Sequence, residues 1–204
     1  MEPTAPTVPG SSAHIDAKLA AIGALSGIVA AMMMDTFSRL MQASDARGAP
    51  PARAAGPAED PAVKIGTAAF RSVAGYTPGR ETRQWLGTAA HLAFNAAVGM
   101  NYLLASERSP ELRRGFGTAY GSLVWATADE GAAPALGLSR TPDAVPLGAH
   151  ASALGAHLVY GATLEGCRRI AAALLDAWER SGTVVDGIAE PVPATSVTGA
   201  AGTA

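Results

Sequence analysis

The stretch "WLGTAAHLAFNAAVGMNYLLA", residues 85–105, decides the fold because it contains no formally charged side chain. A membrane-spanning α-helix needs about 20 consecutive residues that are mostly apolar, and this stretch has that length. A helix of a soluble four-helix bundle, which is the alternative, should instead carry charged residues along its outer face. The stretch therefore favours a helix of a membrane protein over a helix of a soluble bundle.

Three further apolar windows occur in the chain: residues 19–34, which can continue to residue 41, residues 115–139, and residues 144–164. The last of these is also uncharged, whereas the other two span a membrane only if they tolerate Asp35, Asp129 and Glu130. The four windows predict transmembrane helices at about residues 17–42, 85–105, 114–138 and 144–178. The predicted fold class is all-α: a polytopic membrane protein with four helices in an antiparallel bundle and disordered termini.

The remaining segments set the domain boundaries. Residues 1–14 and 181–204 are rich in small and polar residues and in Pro, which predicts disordered tails on either side of a membrane domain at residues 15–180. Residues 43–84 form a polar loop whose prolines prevent one continuous helix. Within that loop, residues 62–75 predict a short interfacial helix with Ile65, Ala69 and Val73 on one side.

Composition excludes several functions. The net charge of −2 gives no field that would attract nucleic acid. The single cysteine, Cys167, excludes an internal disulfide and a cysteine zinc site. The chain has no Gly-x-Ser-x-Gly nucleophile elbow and no glycine-rich phosphate loop. We therefore expect neither an enzyme nor a bound cofactor.

Charge and small residues predict the surroundings of the helices. Basic residues divide evenly between the two sides, but three arginines flank the turn at residues 106–114 and one flanks the turn at 140–143. Because short loops weigh most in the positive-inside rule, both termini are expected in the cytoplasm, with the bilayer of the inner membrane as the partner. The pairs Gly23/Gly27 and Gly117/Gly121 allow close helix approach, and we expect them to serve a homo-oligomer or a membrane partner.

Polar residues of the four windows fall at similar depth. In antiparallel helices, residues at equal depth have numbers that add to twice the number of the turn centre. With turn centres near residues 110 and 142, position 129 lies level with His91 and with the segment between His150 and His157. The predicted polar layer consists of Asp35, His91, Asn95, Asp129, Glu130, His150 and His157. Since a charge in a bilayer is costly unless it is paired, these side chains should pair inside the bundle.

Three interpretations of this layer stay open. The first is a hydrogen-bonded structural network in a protein without catalytic activity. The second is a proton or ion pathway, because histidines and buried carboxylates are the usual parts of proton relays. The third is a metal site, whose ligands would come from His91, Asp129, Glu130, His150 and His157. No sequence motif for metal binding supports the third interpretation.

Two segments carry a resemblance to a known family: "WATADEGAAPALGLS", residues 125–139, and "HASALGAHLVYGATLEGCRR", residues 150–169. Together with His91, Gly99 and Tyr102, and with "APPAR" at residues 49–53, they resemble the YagU-like family of uncharacterised bacterial inner-membrane proteins. The resemblance covers roughly residues 20–172. It implies a multi-pass inner-membrane protein with a link to acid or stress tolerance, and it implies no biochemical activity.

Overall fold

The computed structural model describes residues 10–45 and 60–188. Its helices are α1 (Gly10–Asp45), α2 (Pro61–Ala74), α3 (Arg80–Arg108), α4 (Thr118–Val124), α5 (Ala133–Ala135) and α6 (Leu147–Ile188). A π-helical segment, Trp125–Ala132, joins α4 to α5, and short 3₁₀ turns lie at Pro110–Arg113 and Pro142–Ala144. No strand occurs in the described ranges, so the predicted all-α class is confirmed.

The helices extend beyond the boundaries that the sequence suggests. Helix α1 begins at Gly10, inside the segment expected to be a disordered tail, and α6 continues to Ile188. The rest of both predicted tails lies outside the described residues, as does the "APPAR" segment. The chain divides into two compact units, residues 1–169 and 170–204. All residues of the candidate functional site belong to the first unit.

Helix α2 forms inside the predicted polar loop for clear local reasons. Pro61 is its first residue, and the Asp60 carboxylate accepts a hydrogen bond from the Ala62 amide at 2.7 Å, which caps the helix start. Gly75 ends the helix in the left-handed conformation, with φ of 77°. Gly66 is buried against Leu86 of α3. Ile65, Ala69 and Val73 are exposed, as expected for one apolar side of an interfacial helix.

Glycine contacts bring α1 and α3 together. A Cβ atom on Gly27 would lie 2.0 Å from the Asn95 carbonyl oxygen, and one on Gly99 would lie 2.2 Å from the Gly23 carbonyl oxygen. Real side chains do not come this close, so the two backbones touch only because glycine has no side chain. Residue numbers fall along α3 as they rise along α1 across these contacts, so the two helices are antiparallel.

A second glycine contact joins α4 to α6. A Cβ atom on Gly121 would lie 2.1 Å from the His157 carbonyl oxygen, and one on Gly117 would lie 2.3 Å from the Gly161 carbonyl oxygen. Gly117 also has φ of 82°, which favours glycine for a second reason. Both glycine pairs that the sequence assigns to oligomer contacts therefore face helices of the same chain. Both glycine faces are occupied within the chain, and contact with a second copy or a membrane partner stays a prediction.

The third apolar window differs from the regular helix expected at residues 114–138. Gly115, Phe116 and Gly117 all have positive φ, so the helix begins only at Thr118. Pro134 then follows inside the helical stretch, where its ring would clash with the carbonyl four residues earlier. The π-helical segment before it has wider turns with i→i+5 hydrogen bonds, and these accommodate the proline. Gly137, with φ of 67°, ends the stretch.

The core between these contacts is formed by three tyrosines and smaller apolar residues. It consists of Ala30, Ala31, Tyr102, Leu103, Tyr120, Tyr160 and Leu164. The Tyr120 hydroxyl donates to the Val98 carbonyl at 2.9 Å, and the Tyr160 hydroxyl donates to the Asn95 carbonyl at 3.3 Å. These two hydroxyls thus have partners on α3, and the core ties α3 to both α4 and α6.

One described helix is long and apolar enough to cross a membrane: α1, over Ala17–Ser44. Only 28% of its most apolar window is buried inside the molecule, so this helix is not a buried core helix. The other described helices do not reach the same combination of length and hydropathy. Alanine and glycine, which allow the close packing described above, also lower the hydropathy of α3 and α6.

The glycine contact between α1 and α3 generates a first prediction. We expect Gly27→Ala to lower the free energy of unfolding by about 1–3 kcal/mol, because the added methyl group must push the Asn95 backbone away. The measurement is thermal or denaturant unfolding of the purified protein in detergent. Gly148→Ala is the matched control, since a Cβ atom there meets nothing within 4 Å. Equal loss of stability in both variants would contradict the close backbone contact.

Candidate functional site

A cavity of about 430 Å³ lies where α1, α2, α3, the π-helical segment and α6 meet. Most of its lining is apolar. Its polar lining residues are Asp60, His91, Asn95, Asp129, His157 and Tyr160. Four of these, His91, Asn95, Asp129 and His157, belong to the polar layer that the sequence predicts, and they come from α3, the π-helical segment and α6.

His157 and Asp129 form the first histidine–carboxylate pair. The His157 Nδ1 atom lies 2.9 Å from the Ala153 carbonyl oxygen, which only accepts hydrogen bonds. That geometry assigns the proton of the neutral ring to Nδ1 and leaves Nε2 free on the cavity side. Nε2 lies 3.7 Å from an Asp129 carboxylate oxygen, too far for a hydrogen bond but close enough for an ion pair.

His150 and Glu130 form a second, tighter pair. His150 Nδ1 lies 2.6 Å from a Glu130 carboxylate oxygen, and its Nε2 lies 3.0 Å from the Pro142 carbonyl oxygen. Both partners are acceptors, so both contacts are hydrogen bonds only when the pair holds an extra proton, on the ring or on Glu130. This pair lines a neighbouring cavity of about 240 Å³, together with Asp129 and Arg140. Asp129 therefore borders both cavities.

His91 and Asn95 complete the part of the layer on α3. The Asn95 side-chain amide donates to the His91 carbonyl at 2.8 Å, and both residues line the larger cavity. The His91 Nε2 atom is buried and has no hydrogen-bond partner among the described residues. A buried polar atom without a partner is costly, so this nitrogen is a candidate contact for a bound molecule.

Asp35 does not join the layer, contrary to the sequence-based expectation. It is exposed and lies in a surface depression with Met32, Thr36, Arg39 and Leu40. The neighbouring residue, Met34, is the α1 residue that lines the larger cavity. Adjacent residues of an α-helix point about 100° apart, which turns Asp35 away from the cavity. The depth calculation fixes only the level of a residue along the bundle, not the direction of its side chain.

The geometry does not bring together the ligands of the metal-site interpretation. Among the described residues, no group of three or more His, Cys, Asp or Glu side chains is arranged to hold a metal ion. The layer is instead divided into two separate pairs, one between His157 and Asp129 and one between His150 and Glu130. A protein zinc site usually takes at least three protein ligands, which neither pair supplies.

Glu165 is a buried charged residue that the predicted polar layer does not include. Glu165 is completely buried, with 0% of its surface exposed. Its carboxylate accepts hydrogen bonds from the Tyr102 hydroxyl at 2.7 Å, from Arg168 at 2.7 and 2.9 Å, and from Arg169 at 2.7 Å. The signal in the sequence was the spacing of Glu165 from the two arginines, i to i+3 and i+4. Only the structure reveals the donor from α3.

The pKa of Glu165 follows from this environment. Burial raises its pKa, but hydrogen bonds from Arg168, Arg169 and Tyr102 outweigh burial and hold the pKa at about 2. The same hydrogen bond raises the pKa of Arg168. The Arg169 guanidinium also lies 4.7 Å from the centre of the Phe116 ring, over its face. Glu165 is therefore a charged anchor between α3 and α6, and its two arginines keep it ionised.

The fold and the site define an all-helical protein with paired histidines and carboxylates around a mostly apolar cavity. The model of the family described as "Protein of unknown function (DUF1440)" matches residues 46–166, which is more than half of the chain. The chain belongs to this family. The match contains His91, both histidine–carboxylate pairs and Glu165, whereas α1 and Asp35 precede it. No curated protein and no solved structure matches the chain.

The ion cluster at Glu165 generates a second prediction. The pKa of Glu165 is about 2 in the folded protein, below its ordinary value of 4.5, so the cluster stabilises the fold above about pH 4.5. This contribution is lost as the pH falls from 4.5 towards 2. We expect wild type to be more stable than Glu165→Gln by on the order of 3 kcal/mol at pH 7, and the difference to shrink in acid.

The measurement for this second prediction is denaturant unfolding of both proteins at pH 7, 5 and 3. Glu111→Gln is the matched control, because the Glu111 carboxylate is exposed and its ion pair among the described residues is the one with Arg114 at 3.3 Å. Its stability should stay close to that of wild type at every pH. A difference between wild type and Glu165→Gln that does not change with pH would rule out the ionised, buried Glu165.

Proposed function

We propose that the protein is a multi-pass protein of the bacterial inner membrane that catalyses no reaction. In this proposal, α1, α3, the helical stretch at residues 118–135 and the first part of α6 cross the bilayer. The observation that carries it is the apolar outer surface of helices whose windows contain few or no charges. Leu25, Val29, Met32 and Met33 of α1, Leu92 and Phe94 of α3, and Leu123 of α4 are all exposed.

A bilayer explains this surface better than water does. Large contiguous apolar patches on a monomer mark contact with a membrane or a partner. Residues 85–105 and 144–164 place no formal charge between these patches, whereas a soluble bundle needs charged outer faces. The interfacial character of α2, with exposed Ile65 and Val73, also suits a helix that lies at the membrane surface. The resemblance to the YagU-like inner-membrane proteins supports the same location.

Within that membrane protein, we assign the polar layer the role of an acid-sensitive element that serves acid or stress tolerance. Histidine changes its charge between pH 5 and pH 8 more readily than other side chains do. His150 with Glu130 and His157 with Asp129 supply two places where a proton can bind next to a carboxylate. Such pairs lower the cost of placing charge among apolar helices. Proton binding there would alter the contacts between the π-helical segment and α6.

A proton pathway is a second candidate, favoured by the polar residues along α6. His150, His157 and Tyr160 follow one another on this helix, and each contacts a polar group of another segment. At about 1.5 Å per residue, the span from His150 to Tyr160 covers roughly 15 Å of a hydrocarbon core about 30 Å thick. Protonation events along this series would carry a proton across about half of the bilayer.

A third prediction tests the proposed topology with single cysteines in a Cys167→Ala background. In spheroplasts, we expect a membrane-impermeant maleimide to label Thr141→Cys, since the 140–143 turn lies on the outer side. Ser109→Cys, in the turn between α3 and α4, should be labelled only after the membrane is permeabilised. Both turns contain exposed residues in the folded chain, so differences in labelling report sidedness.

Two controls accompany the labelling experiment. The Cys167→Ala background without a new cysteine should give no signal, and detergent-permeabilised cells should label both cysteine variants equally. Labelling of Ser109→Cys alone in spheroplasts would reverse the proposed orientation. Recovery of the protein in the soluble fraction, or equal labelling of both positions in spheroplasts, would overturn the multi-pass proposal itself.

A fourth prediction tests the proton pathway. Proteoliposomes containing wild type and a pH-sensitive dye should acidify inside when an acid gradient is imposed, faster than empty liposomes. His157→Gln should slow this acidification by about tenfold or more, because it removes the titratable group in the middle of the series. Asp35→Asn is the matched control and should conduct like wild type, since Asp35 is exposed away from the series. If wild-type proteoliposomes acidify no faster than empty liposomes, the proton pathway is contradicted. The proposal of an acid-sensitive element without proton transport would then remain.

A further inference from the structure

The cavity of about 430 Å³ is bordered by four residues of the predicted polar layer, His91, Asn95, Asp129 and His157. We infer that it is a binding site for an apolar organic cation that carries N–H donors, such as an aromatic or aliphatic amine. This inference deepens the proposed function, because it names the class of ligand that the polar layer recognises. Its basis is the size, the charge and the hydrogen-bonding capacity of the cavity.

The size and lining of the cavity fit a small amphipathic molecule. Ligand sites typically have volumes of about 300–1,000 Å³ and are mostly apolar, with a few polar groups that orient the ligand. The apolar part of this cavity includes Met34, Phe94, Val124 and Leu136. The polar part gathers around Asp129 and His157. A ligand with an apolar body and one polar end would match both parts.

The charge of the lining selects a cation. Among the residues that the structure describes, Asp60 and Asp129 are the acidic residues of the lining, and the lining contains no Lys or Arg. Lys64 is not a lining residue, but its ammonium group donates to the carbonyl oxygen of Leu138, which lines the cavity, at 2.7 Å. Asp60 is partly used by its hydrogen bond to Ala62, which leaves Asp129 as the principal counter-ion. A carboxylate facing an apolar cavity attracts a cation and repels an anion.

The hydrogen-bonding atoms of the cavity select a donor. His157 Nε2 is left free as an acceptor because the Nδ1 atom of that ring is bonded to Ala153. His91 Nε2 is buried without a partner among the described residues, and in the matching tautomer it also accepts. Together with the Asp129 carboxylate, these two nitrogens supply acceptors from three helical segments. An ammonium group with several N–H bonds satisfies more of them than a quaternary cation would.

The test uses three probes that share one ring system: 1-naphthylmethylammonium, neutral 1-naphthylmethanol and anionic 1-naphthoate. Binding to full-length protein in detergent is measured by equilibrium dialysis against protein-free micelles, which corrects for partition into detergent. We expect saturable binding of the ammonium probe, at least about tenfold tighter than that of the alcohol, and no saturable binding of the naphthoate.

Three variants connect the binding to the cavity. Asp129→Asn should weaken the ammonium probe by about tenfold or more and leave the alcohol nearly unchanged, because only the charge is removed. Ala128→Leu, which places a larger side chain in the lining, should weaken both probes. Asp35→Asn is the matched control, since it removes one carboxylate outside the cavity and should bind like wild type.

The outcomes separate this inference from the proposed function. Equal binding of all three probes, no saturable binding by wild type, or equal effects of Asp129→Asn and Asp35→Asn would each overturn the cation site. If Asp129→Asn does not fold, the probe series on wild type and the Ala128→Leu variant still decide the result. Failure of the cation site would leave the labelling pattern of the two turn cysteines unchanged, whereas failure of the multi-pass proposal changes that pattern.

Discussion

The close approach of helix backbones at glycine is the constraint on which the rest of the structure depends. Gly27 meets the Asn95 carbonyl, and Gly121 meets the His157 carbonyl, with no room for a Cβ atom at either contact. The first contact fixes the position of α1 along α3, and the second fixes the position of α4 along α6. Because Asn95 and His157 line the same cavity, the contacts that set the register also set the position of the site. The packing of the helices therefore also determines the geometry of the site.

The ion cluster at Glu165 fixes the other end of the same helices. A completely buried carboxylate survives only when its oxygen atoms are satisfied, and Tyr102, Arg168 and Arg169 together supply four hydrogen bonds. Tyr102 lies on α3 and both arginines lie on α6, so the carboxylate ties these helices together. The cluster holds its charge in place, whereas the two histidine–carboxylate pairs at the other end face cavities. One end of the bundle is thus anchored by the ion cluster, and the other end carries the two cavities.

Much of this arrangement could be predicted from the sequence, for identifiable reasons. Charge-free windows predicted the long helices, and short turns predicted antiparallel neighbours, which placed His91 level with Asp129. The prediction failed at Asp35, because a level along the bundle says nothing about which way a side chain points. It also missed the widened helix before Pro134 and the role of Glu165. The widened helix accommodates Pro134 through a local change in backbone hydrogen bonding. The role of Glu165 depends on a contact across the chain, because a donor from α3 reaches it from 63 residues away.

The adjacent acids at residues 129 and 130 are tolerated because they do not share a partner. Asp129 faces His157 across the larger cavity, whereas Glu130 bonds His150 beside the smaller one. The π-helical segment carries both acids, and its wider turns present them to two different parts of α6. Each carboxylate therefore has its own proton-binding partner. At the larger cavity, any cation that pairs with Asp129 competes with a proton on His157, and linkage requires that each weakens the binding of the other by the same factor.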